Sequence, residues 1–336
     1  MTKNPLTNTL KMSYRIGRNA FLSPKPFLLY FKPTARCDLR CNICNRWKDN
    51  STSEQELSLE QIQSMLTKFY NAGASVLTLW GGEPTLRKDL AEILHAAKQI
   101  GYRTSMCSNC NSLGKKSDRI LPHLDTLLCS LDGLGKTHDE MRGINGLFDR
   151  VVNSIKLATE YDHCRVKIWS TVHVNNLDQI EGLAELAKDL SVGIEYFPVS
   201  PIVGYNNEMV PSSDDLQDAF ARIKGLKRDG FPVWNPDRVL DKMQTGSEFK
   251  CNFARIAIHM DHEGNVYTCE NPAGTPLHQW DHYENIDLGA LFRSTQYKEV
   301  TDNLASCGQC RLPCVLELAD ELPVALAGMF MQSFVR

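Results

Sequence analysis

Residues 26–44 read PFLLYFKPTARCDLRCNIC, a strand-like run followed at once by three cysteines. The run is rich in aromatic and aliphatic residues, which favours a buried strand. Cys37, Cys41 and Cys44 lie within eight residues, so one short loop brings three sulfurs together. Tetrahedral zinc and ordinary iron–sulfur cubes take four protein ligands. The triplet therefore predicts either a metal centre whose fourth position belongs to another molecule, or a zinc site that borrows a distant ligand.

Similar strand-like runs recur downstream and alternate with helical patterns. The runs cover residues 26–34, 75–80, 102–108, 126–131, 165–174 and 193–199. Apolar residues at three-to-four-residue spacing predict helices over 58–72, 89–100, 147–160 and 177–190, with a weaker pattern over 115–123. Strands that alternate with helices form a parallel sheet. Six such units are fewer than a closed eight-unit barrel needs, so the predicted fold class is α/β, a partial (β/α)6 barrel.

Short polar or glycine-rich motifs follow the first four of these strands. The cysteine triplet follows the first strand, and GGEP (81–84) follows the second. SNCN (108–111) follows the third strand, and DG (132–133) follows the fourth. The carboxyl ends of parallel strands meet at one rim of a barrel, where active-site groups are found. The four motifs are therefore predicted to form one site.

Composition excludes several classes of protein. The 336 residues carry a net charge of −3, which gives no basic footprint for nucleic acid. The sequence contains no run of 18 apolar residues, so no membrane span is predicted. The N-terminus lacks the apolar core of a signal peptide. The expected location is cytoplasmic, where twelve cysteines indicate metal or redox chemistry rather than disulfides. Cys129 and Cys164 lie in or beside apolar runs and are predicted to be buried free thiols.

The C-x-x-x-C-x-x-C spacing in CDLRCNIC resembles the signature of the radical S-adenosylmethionine (SAM) superfamily. The resemblance implies that the three cysteines bind a [4Fe–4S] cluster whose fourth iron is chelated by SAM. In that family the reduced cluster cleaves SAM to a 5′-deoxyadenosyl radical, which abstracts a substrate hydrogen. A small ferredoxin or flavodoxin is the implied electron donor. Arg36 and Arg40 lie beside the triplet, and we expect them to lower the pKa values of its thiols and to offset cluster charge.

Further motifs extend the resemblance over residues 26–200. Ile43 matches an apolar position near the adenine of SAM, and GGEP resembles a GGE motif that contacts the methionine amino group. SLDG followed by HDEMRG resembles relatives in which a serine and an arginine hold SAM. SNCN stands where many relatives have T-N-G, and Cys110 replaces the glycine, so this loop is expected to differ. From the residues alone, Glu83 suits the cap of a helix as well as a SAM contact. Arg142 likewise suits a surface ion pair as well as a SAM contact. The implied SAM contacts are Ile43, Gly81, Gly82, Glu83, Pro84, Asn109, Ser130 and Arg142.

A second group of cysteines lies near the C-terminus. Cys251, Gly264 and Cys269 fit the C-x(9–15)-G-x(4)-C pattern of SPASM and twitch domains, which implies an auxiliary [4Fe–4S] cluster. The glycine suits the turn of a β-hairpin predicted over 253–270. The later cysteines are fewer than in the two-cluster SPASM pattern, so one cluster is expected, and a structural zinc is the alternative. The implied ligands of the auxiliary cluster are Cys251, Cys269, Cys307 and Cys310, with Cys314 as a substitute ligand or a nearby thiol.

These motifs divide the chain into five predicted segments. They are an N-terminal extension over 1–25, a radical SAM partial barrel over 26–215, a linker over 216–245, a SPASM/twitch-like domain over 246–318 and an apolar helix over 319–336. The last segment is expected to pack over an opening of the barrel. A contact with a membrane surface is the alternative, because this tail is unusually apolar.

The predicted function is radical SAM oxidation or rearrangement of a substrate, with the auxiliary cluster as electron acceptor. The substrate is a small molecule or a peptide presented by a carrier, since about 25 residues before the first strand leave no room for a fused peptide-recognition domain. A non-catalytic iron–sulfur sensor or scaffold is the alternative from another class. His173, Glu195 and Tyr196 are candidates for the barrel interior, although each also suits a structural role. No catalytic acid or base is predicted.

Overall fold

The computed structural model describes residues 14–19, 25–246 and 251–307. Its nine strands belong to one sheet. They are β1 (Leu28–Phe31), β2 (Val76–Leu79), β3 (Arg103–Ser108), β4 (Thr126–Ser130), β5 (Arg165–Val172), β6 (Gly193–Pro198), β7 (Ala257–Met260), β8 (Asn265–Glu270) and β9 (Pro276–His282).

The α-helices that follow β1 lie between the strands and after them. They are α1 (Leu59–Ala72), α2 (Leu90–Ile100), α3 (Ser117–Ile120), α4 (Lys136–Arg142), α5 (Leu147–Thr159), α6 (Ile180–Asp189), α7 (Ser213–Arg228), α8 (Asp237–Thr245), α9 (Phe253–Ile256), α10 (Leu288–Leu291) and α11 (Thr295–Leu304). The first of them begins with a capping box, because Ser58 and Gln61 each bond the other's backbone N–H.

Six neighbouring strands are parallel, in the order β6-β5-β4-β3-β2-β1. Parallel neighbours require a crossover between strands, and the helices provide it. The predicted α/β class, a curved parallel sheet built from six strand–helix units, is confirmed. Its carboxyl-end rim carries the loops after β1, β2, β3, β4 and β6, so the motifs singled out from the sequence stand at one edge.

The main core lies between the outer face of the sheet and the helices. Leu29 and Phe31 of β1 are fully buried there, facing the apolar side of α1, which includes Met65 and Phe69. Successive side chains of a strand point to opposite faces, so Tyr30 lies on the inner face. This inner face is the one that a curved sheet turns towards its site.

The sheet does not end at β1. β7 pairs with β1 in parallel, with His259 opposite Tyr30, and β8 then pairs with β7 in the antiparallel sense. The hairpin predicted over 253–270 thus forms, except that its first four residues are helix α9. Gly264 makes its turn with a φ of +94°, and a Cβ there would lie 2.4 Å from Nε2 of His282. Cys269, on β8, is therefore tied to the edge of the parallel sheet.

The segment predicted as a linker, residues 216–245, is largely helical. Ser212 caps α7 by accepting a hydrogen bond from the backbone N–H of Asp215. Leu216, Phe220 and Ile223 recur at helical spacing and are buried. Apolar residues at this spacing need a packed surface, and α7 finds it against α8 and α6.

Some predicted features lie outside the described residues. They include Cys310, Cys314 and the apolar helix over 319–336. In the part of the chain that the structure covers, the helices are too short or too polar for any of them to cross a membrane.

The start of β6 offers a test of the packing. A Cβ on Gly193 would lie 2.0 Å from the indole of Trp234, whereas a Cβ on Gly225 in α7 would meet only the end of Arg228 at 3.9 Å. We expect Gly193→Ala to destabilise the protein by about 1–3 kcal/mol through overpacking. The matched change Gly225→Ala should be neutral or stabilise by up to about 1 kcal/mol, because alanine favours helix. Urea unfolding measures both, and an equal response of the two variants would contradict this packing.

Candidate functional site

The loop that carries the cysteine triplet is held by the loop that follows β6. The hydroxyl of Tyr205 lies 2.9 Å from the carbonyl oxygen of Cys41 and 3.0 Å from that of Cys44. The side-chain amide of Asn206 donates to the carbonyl of Ile43 at 3.1 Å. Each of these three contacts joins residues about 160 positions apart, so no local pattern in the sequence pointed to Tyr205 or Asn206.

The glycines of GGEP bring two backbones into contact. The N–H of Gly82 donates to the carbonyl of Thr34 at 3.2 Å, and that of Glu83 donates to the carbonyl of Arg36 at 2.8 Å. A Cβ on Gly82 would lie 2.1 Å from the carbonyl oxygen of Arg36. Gly81 has a φ of +121°, a conformation that glycine adopts without strain. These glycines therefore fix the segment that leads into Cys37.

Glu83 is buried and bonded on both carboxylate oxygens. Oε1 accepts from the N–H and hydroxyl of Thr85 at 3.0 and 2.7 Å and from the hydroxyl of Ser108 at 2.8 Å. Oε2 accepts from the N–H of Asn109 at 2.7 Å, which leaves this oxygen with capacity for one further donor. Burial raises the pKa of Glu83, although these hydrogen bonds oppose the shift. Glu83 also caps the turn that begins at buried Pro84, as its alternative role predicted.

The loop after β3 binds the triplet loop through Asp38. The side-chain amides of Asn109 and Asn111 donate to the two carboxylate oxygens of Asp38 at 2.8 and 2.7 Å. Cys110, which replaces the glycine of the T-N-G motif, has a φ of +59° and is fully buried. The cysteine thus adopts the left-handed backbone that glycine favours, at some cost in strain. Cys110 thus differs from the motif in its side chain, but its backbone conformation is still one that suits glycine.

Arg142 lies between a buried carboxylate and a cysteine of the triplet. Its Nε donates to Oδ2 of Asp132 at 2.8 Å, and its Nη1 lies 3.8 Å from Sγ of Cys41. Burial alone would raise the pKa of Asp132, but Arg142 and His138 hold it below its ordinary value. The alternative of a surface ion pair is wrong, because the Asp132 side chain is fully buried and that of Arg142 is 12% exposed.

The expectation that Arg36 and Arg40 lower the pKa values of the triplet thiols is wrong for Cys37 and Cys41, whereas their effect on the charge of a cluster stays a prediction. Arg36 pairs with Glu56, its Nε lying 2.9 Å from Oε1, and Arg40 is exposed with its guanidinium 5.7 Å from the ring of Trp47. Burial raises the pKa of the Cys37 thiol to about 12, so the thiol pKa is not lowered as expected. Arg142 is the cation that lies within hydrogen-bond distance of Cys41, because Asp132 fixes it there, and Arg46 is a second cation, which faces Cys44.

Ser130 and Cys107 face the inside of the barrel at the ends of β4 and β3. The Oγ of Ser130 lies 4.0 Å from the Sγ of Cys107. Burial raises the pKa of Cys107 to about 12, so this thiol is protonated at neutral pH. Ile43 is part-buried and packs against the main core. The implied SAM contacts thus come from loops that share one rim.

The chemistry of the triplet fits an iron–sulfur cluster. Cys37, Cys41 and Cys44 are free thiols on one loop, with positive charge from Arg142 beside Cys41. Cubane clusters are held by cysteine thiolates, each of which binds a different iron. Three thiolates would hold three irons and leave the fourth open to another ligand.

The second cysteine group is described in part. Cys251 is buried, and its N–H donates to the carbonyl of Ala305 at 3.0 Å, which places it beside Cys307. Cys269 is part-buried at the end of β8. Cys129 and Cys164 are buried free thiols as predicted.

The three candidates for the barrel interior have different places. Tyr196 points to the outer core, where its hydroxyl donates to the carbonyl of Ile180 at 2.7 Å. His173 is buried in the turn after β5, and Glu195 is paired with Lys167 and with the indole N–H of Trp169. Of the three, Glu195 alone lies on the inner face beside an aromatic ring.

Comparison with known proteins agrees with this geometry. Residues 31–187 match the family model described as the radical SAM superfamily. This chain carries a radical SAM domain. It begins at the end of β1 and runs to helix α6, and it includes the triplet and the rim loops after β2, β3 and β4. The radical SAM family implies a [4Fe–4S] cluster that binds SAM.

Relatives of the radical SAM domain differ in how much of the chain they match. Fe-coproporphyrin III synthase of Methanosarcina barkeri is 26% identical over 342 residues, covering 87% of this chain and 86% of that protein. AdoMet-dependent heme synthase of the same organism is 31% identical over 168 residues, and that match spans about half of each protein. Streptococcus suis SuiB bound to S-adenosylmethionine has the same fold, with a TM-score of 0.68 at 18% identity over 95% of this chain and 80% of SuiB.

Tyr205 provides a test of the geometry around the triplet. Tyr205→Phe removes the donor shared by the carbonyls of Cys41 and Cys44. A lost hydrogen bond is worth about 1 kcal/mol, so we expect iron to leave the triplet about five times faster in the presence of a chelator. Tyr161→Phe, before β5 at the opposite rim, is the matched control. Identical release rates in both variants would argue against this support of the loop.

Proposed function

We propose that this protein cleaves SAM reductively and uses the resulting 5′-deoxyadenosyl radical to take a hydrogen atom from a substrate. The observation that carries the proposal is the meeting of the cysteine triplet with Arg142, Glu83 and Ser130 at one rim of a radical SAM domain. A bound [4Fe–4S] cluster would supply the electron for this cleavage. Cys37, Cys41 and Cys44 would hold it, and a ferredoxin or flavodoxin would reduce it.

The chain's own residues have distinct roles in this proposal. Glu83 has one acceptor site left on Oε2, which suits the ammonium group of SAM. Arg142 offers positive charge beside Cys41, and Asp132 fixes its direction. Asn109 and Ser130 line the same rim, and Ile43 gives an apolar surface for the adenine. A charged ligand gains most from donors that are already oriented before it binds.

The second cysteine group supports an oxidative outcome. We assign Cys251, Cys269, Cys307 and Cys310 to an auxiliary [4Fe–4S] cluster, with Cys314 as a substitute ligand. Cys251 and Cys307 lie together, and the strand that carries Cys269 belongs to the same sheet as the triplet's strand. A substrate that has lost a hydrogen atom must also lose an electron to become an oxidised product. An all-cysteine cluster is closed to substrate and suits that electron transfer.

The substrate class that we propose is a tetrapyrrole that carries carboxylates. The support is the match to Fe-coproporphyrin III synthase, which extends over 87% of this chain, too much of it to end before Cys251 and Cys269. The SuiB structures include one with the precursor peptide SuiA, but that likeness, at 18% identity, concerns the fold. A carrier-presented peptide is therefore the second candidate.

Cleavage of SAM tests the first part of the proposal. Anaerobically reconstituted protein with SAM and dithionite should form 5′-deoxyadenosine, and Cys41→Ala should abolish it because the cluster loses a ligand. Cys164→Ala, a buried cysteine outside both groups, is the control and should retain the activity. Activity that persists in Cys41→Ala would refute the cluster assignment.

Iron content tests the auxiliary cluster. After replacement of Cys37, Cys41 and Cys44 together by alanine, we expect about four irons per chain to remain, since one cubane holds four. Mössbauer spectra would identify them as a [4Fe–4S] cluster. A folded protein without iron would leave the second cysteine group with zinc or a structural role, and the electron-acceptor role would be lost.

A further inference from the structure

A cluster of rings covers the inner face of the sheet where β1, β2, β7 and β8 meet. The aromatic cluster comprises Tyr30, Trp80, Phe253, His259 and Tyr267. The ring of His259 is stacked on Tyr30 at 5.1 Å, and its other neighbour Tyr267 lies at 5.3 Å. Trp80 and Phe253 approach it edge-on at 5.8 and 5.7 Å. Tyr30 and Trp80 are only part-buried, so the cluster reaches the surface inside the barrel.

Three ring nitrogens of the aromatic cluster are buried without a hydrogen-bond partner among the described residues. They are Nδ1 and Nε2 of His259 and Nε1 of Trp80. His259 as a whole is 3% exposed. Buried polar groups are nearly always paired, so an unpaired set indicates a partner that the described residues do not supply. An indole N–H only donates, and a neutral imidazole donates through one nitrogen and accepts at the other, so two of the three nitrogens need an acceptor and the third needs a donor.

The charges around these nitrogens favour an anion. The guanidinium of Arg46 lies 4.6 Å from the ring centroid of Trp80 and pairs with Glu270. The ammonium of Lys32 lies 3.7 Å from Oε2 of the same carboxylate. Lys32, Arg46 and Glu270 are the charged groups that face His259, so two cations share one carboxylate. The three groups that face His259 carry one net positive charge, although Asp49 also faces Lys32, and arginine is well suited to recognise a carboxylate.

The aromatic cluster adjoins the proposed radical site along the chain and in space. Trp80 directly precedes Gly81, and Arg46 follows Cys44 by two residues. The side chain of Asn45 donates to the carbonyl of Ala273, in the turn after β8, at 3.2 Å. A group bound at the aromatic cluster would therefore lie beside the loop that carries the triplet.

We infer that the aromatic cluster is a carboxylate-binding subsite for the substrate. The carboxylate accepts hydrogen bonds from Trp80 and His259 and pairs with Arg46, and the ring faces contact the flat body that carries it. The sequence placed none of these residues in a site. The inference rests on the proposed function, because it gives the proposed tetrapyrrole carboxylates a place to bind.

Binding of a free acid and of its ester separates a carboxylate site from an apolar surface. The holoenzyme with SAM is titrated anaerobically with Fe-coproporphyrin III and with its tetramethyl ester, in the same detergent, and binding is followed by absorbance. We expect the wild-type protein to prefer the acid. Trp80→Phe and His259→Phe should each weaken acid binding about tenfold, the loss typical of a hydrogen bond to a charged group, and leave ester binding unchanged.

Stability provides an independent readout of the same variants. Both substitutions keep a ring and remove unpaired nitrogens, so each should raise the urea midpoint while acid binding falls. Trp234→Phe, a tryptophan that packs on Arg165 outside the aromatic cluster, is the control and should change neither preference nor SAM cleavage.

The outcomes distinguish the carboxylate subsite from the proposed tetrapyrrole substrate on which it rests. Equal wild-type affinity for acid and ester, or unchanged acid affinity in both variants, would overturn the carboxylate subsite alone. A wild-type protein that cleaves SAM but binds neither compound would overturn the tetrapyrrole substrate, and the subsite with it. Selective loss of acid binding together with higher stability would support the inference.

Discussion

The close contact of two backbones at the start of the barrel determines where the chemistry is located. Gly81 and Gly82 let the chain after β2 lie against residues 34–36, which lead directly into the cysteine triplet. Only glycine fits at position 82, because a Cβ there would lie 2.1 Å from the carbonyl oxygen of Arg36. From this contact Glu83 turns inward and ties β2 to the loop after β3. The rim is thus built as a connected unit before any ligand binds.

Charge placement is the second constraint on the site. A buried guanidinium must be paired, and Asp132 fixes Arg142 in the one direction that also reaches Cys41. The same carboxylate accepts the backbone N–H of Thr171 at 2.7 Å and so joins β5 to the rim. Positive charge beside the triplet suits the thiolates of a cluster and, in the proposed function, the carboxylate group of SAM.

The extension of the sheet beyond β1 has consequences for function. Because β7 pairs with β1, the hairpin that carries Cys269 and Glu270 lies beside the triplet loop rather than in a detached unit. His259 and Trp80 then meet on the inner face, next to Arg46. A substrate held there would stand beside the proposed radical site and near the strand that carries Cys269.

The sequence by itself determined the strand–helix order, the triplet, the glycine motifs and the turn at Gly264, because each is encoded within a few neighbouring residues. Tertiary structure alone decided which arginine contacts Cys41 of the triplet. Arg36 pairs with Glu56 instead, and Arg142 lies about 100 residues from Cys41 along the chain. Tertiary structure also decided that Tyr205 supports the loop and that Trp80 meets His259. Such contacts leave no periodic or local signal, because they depend on how distant strand ends are brought to one rim.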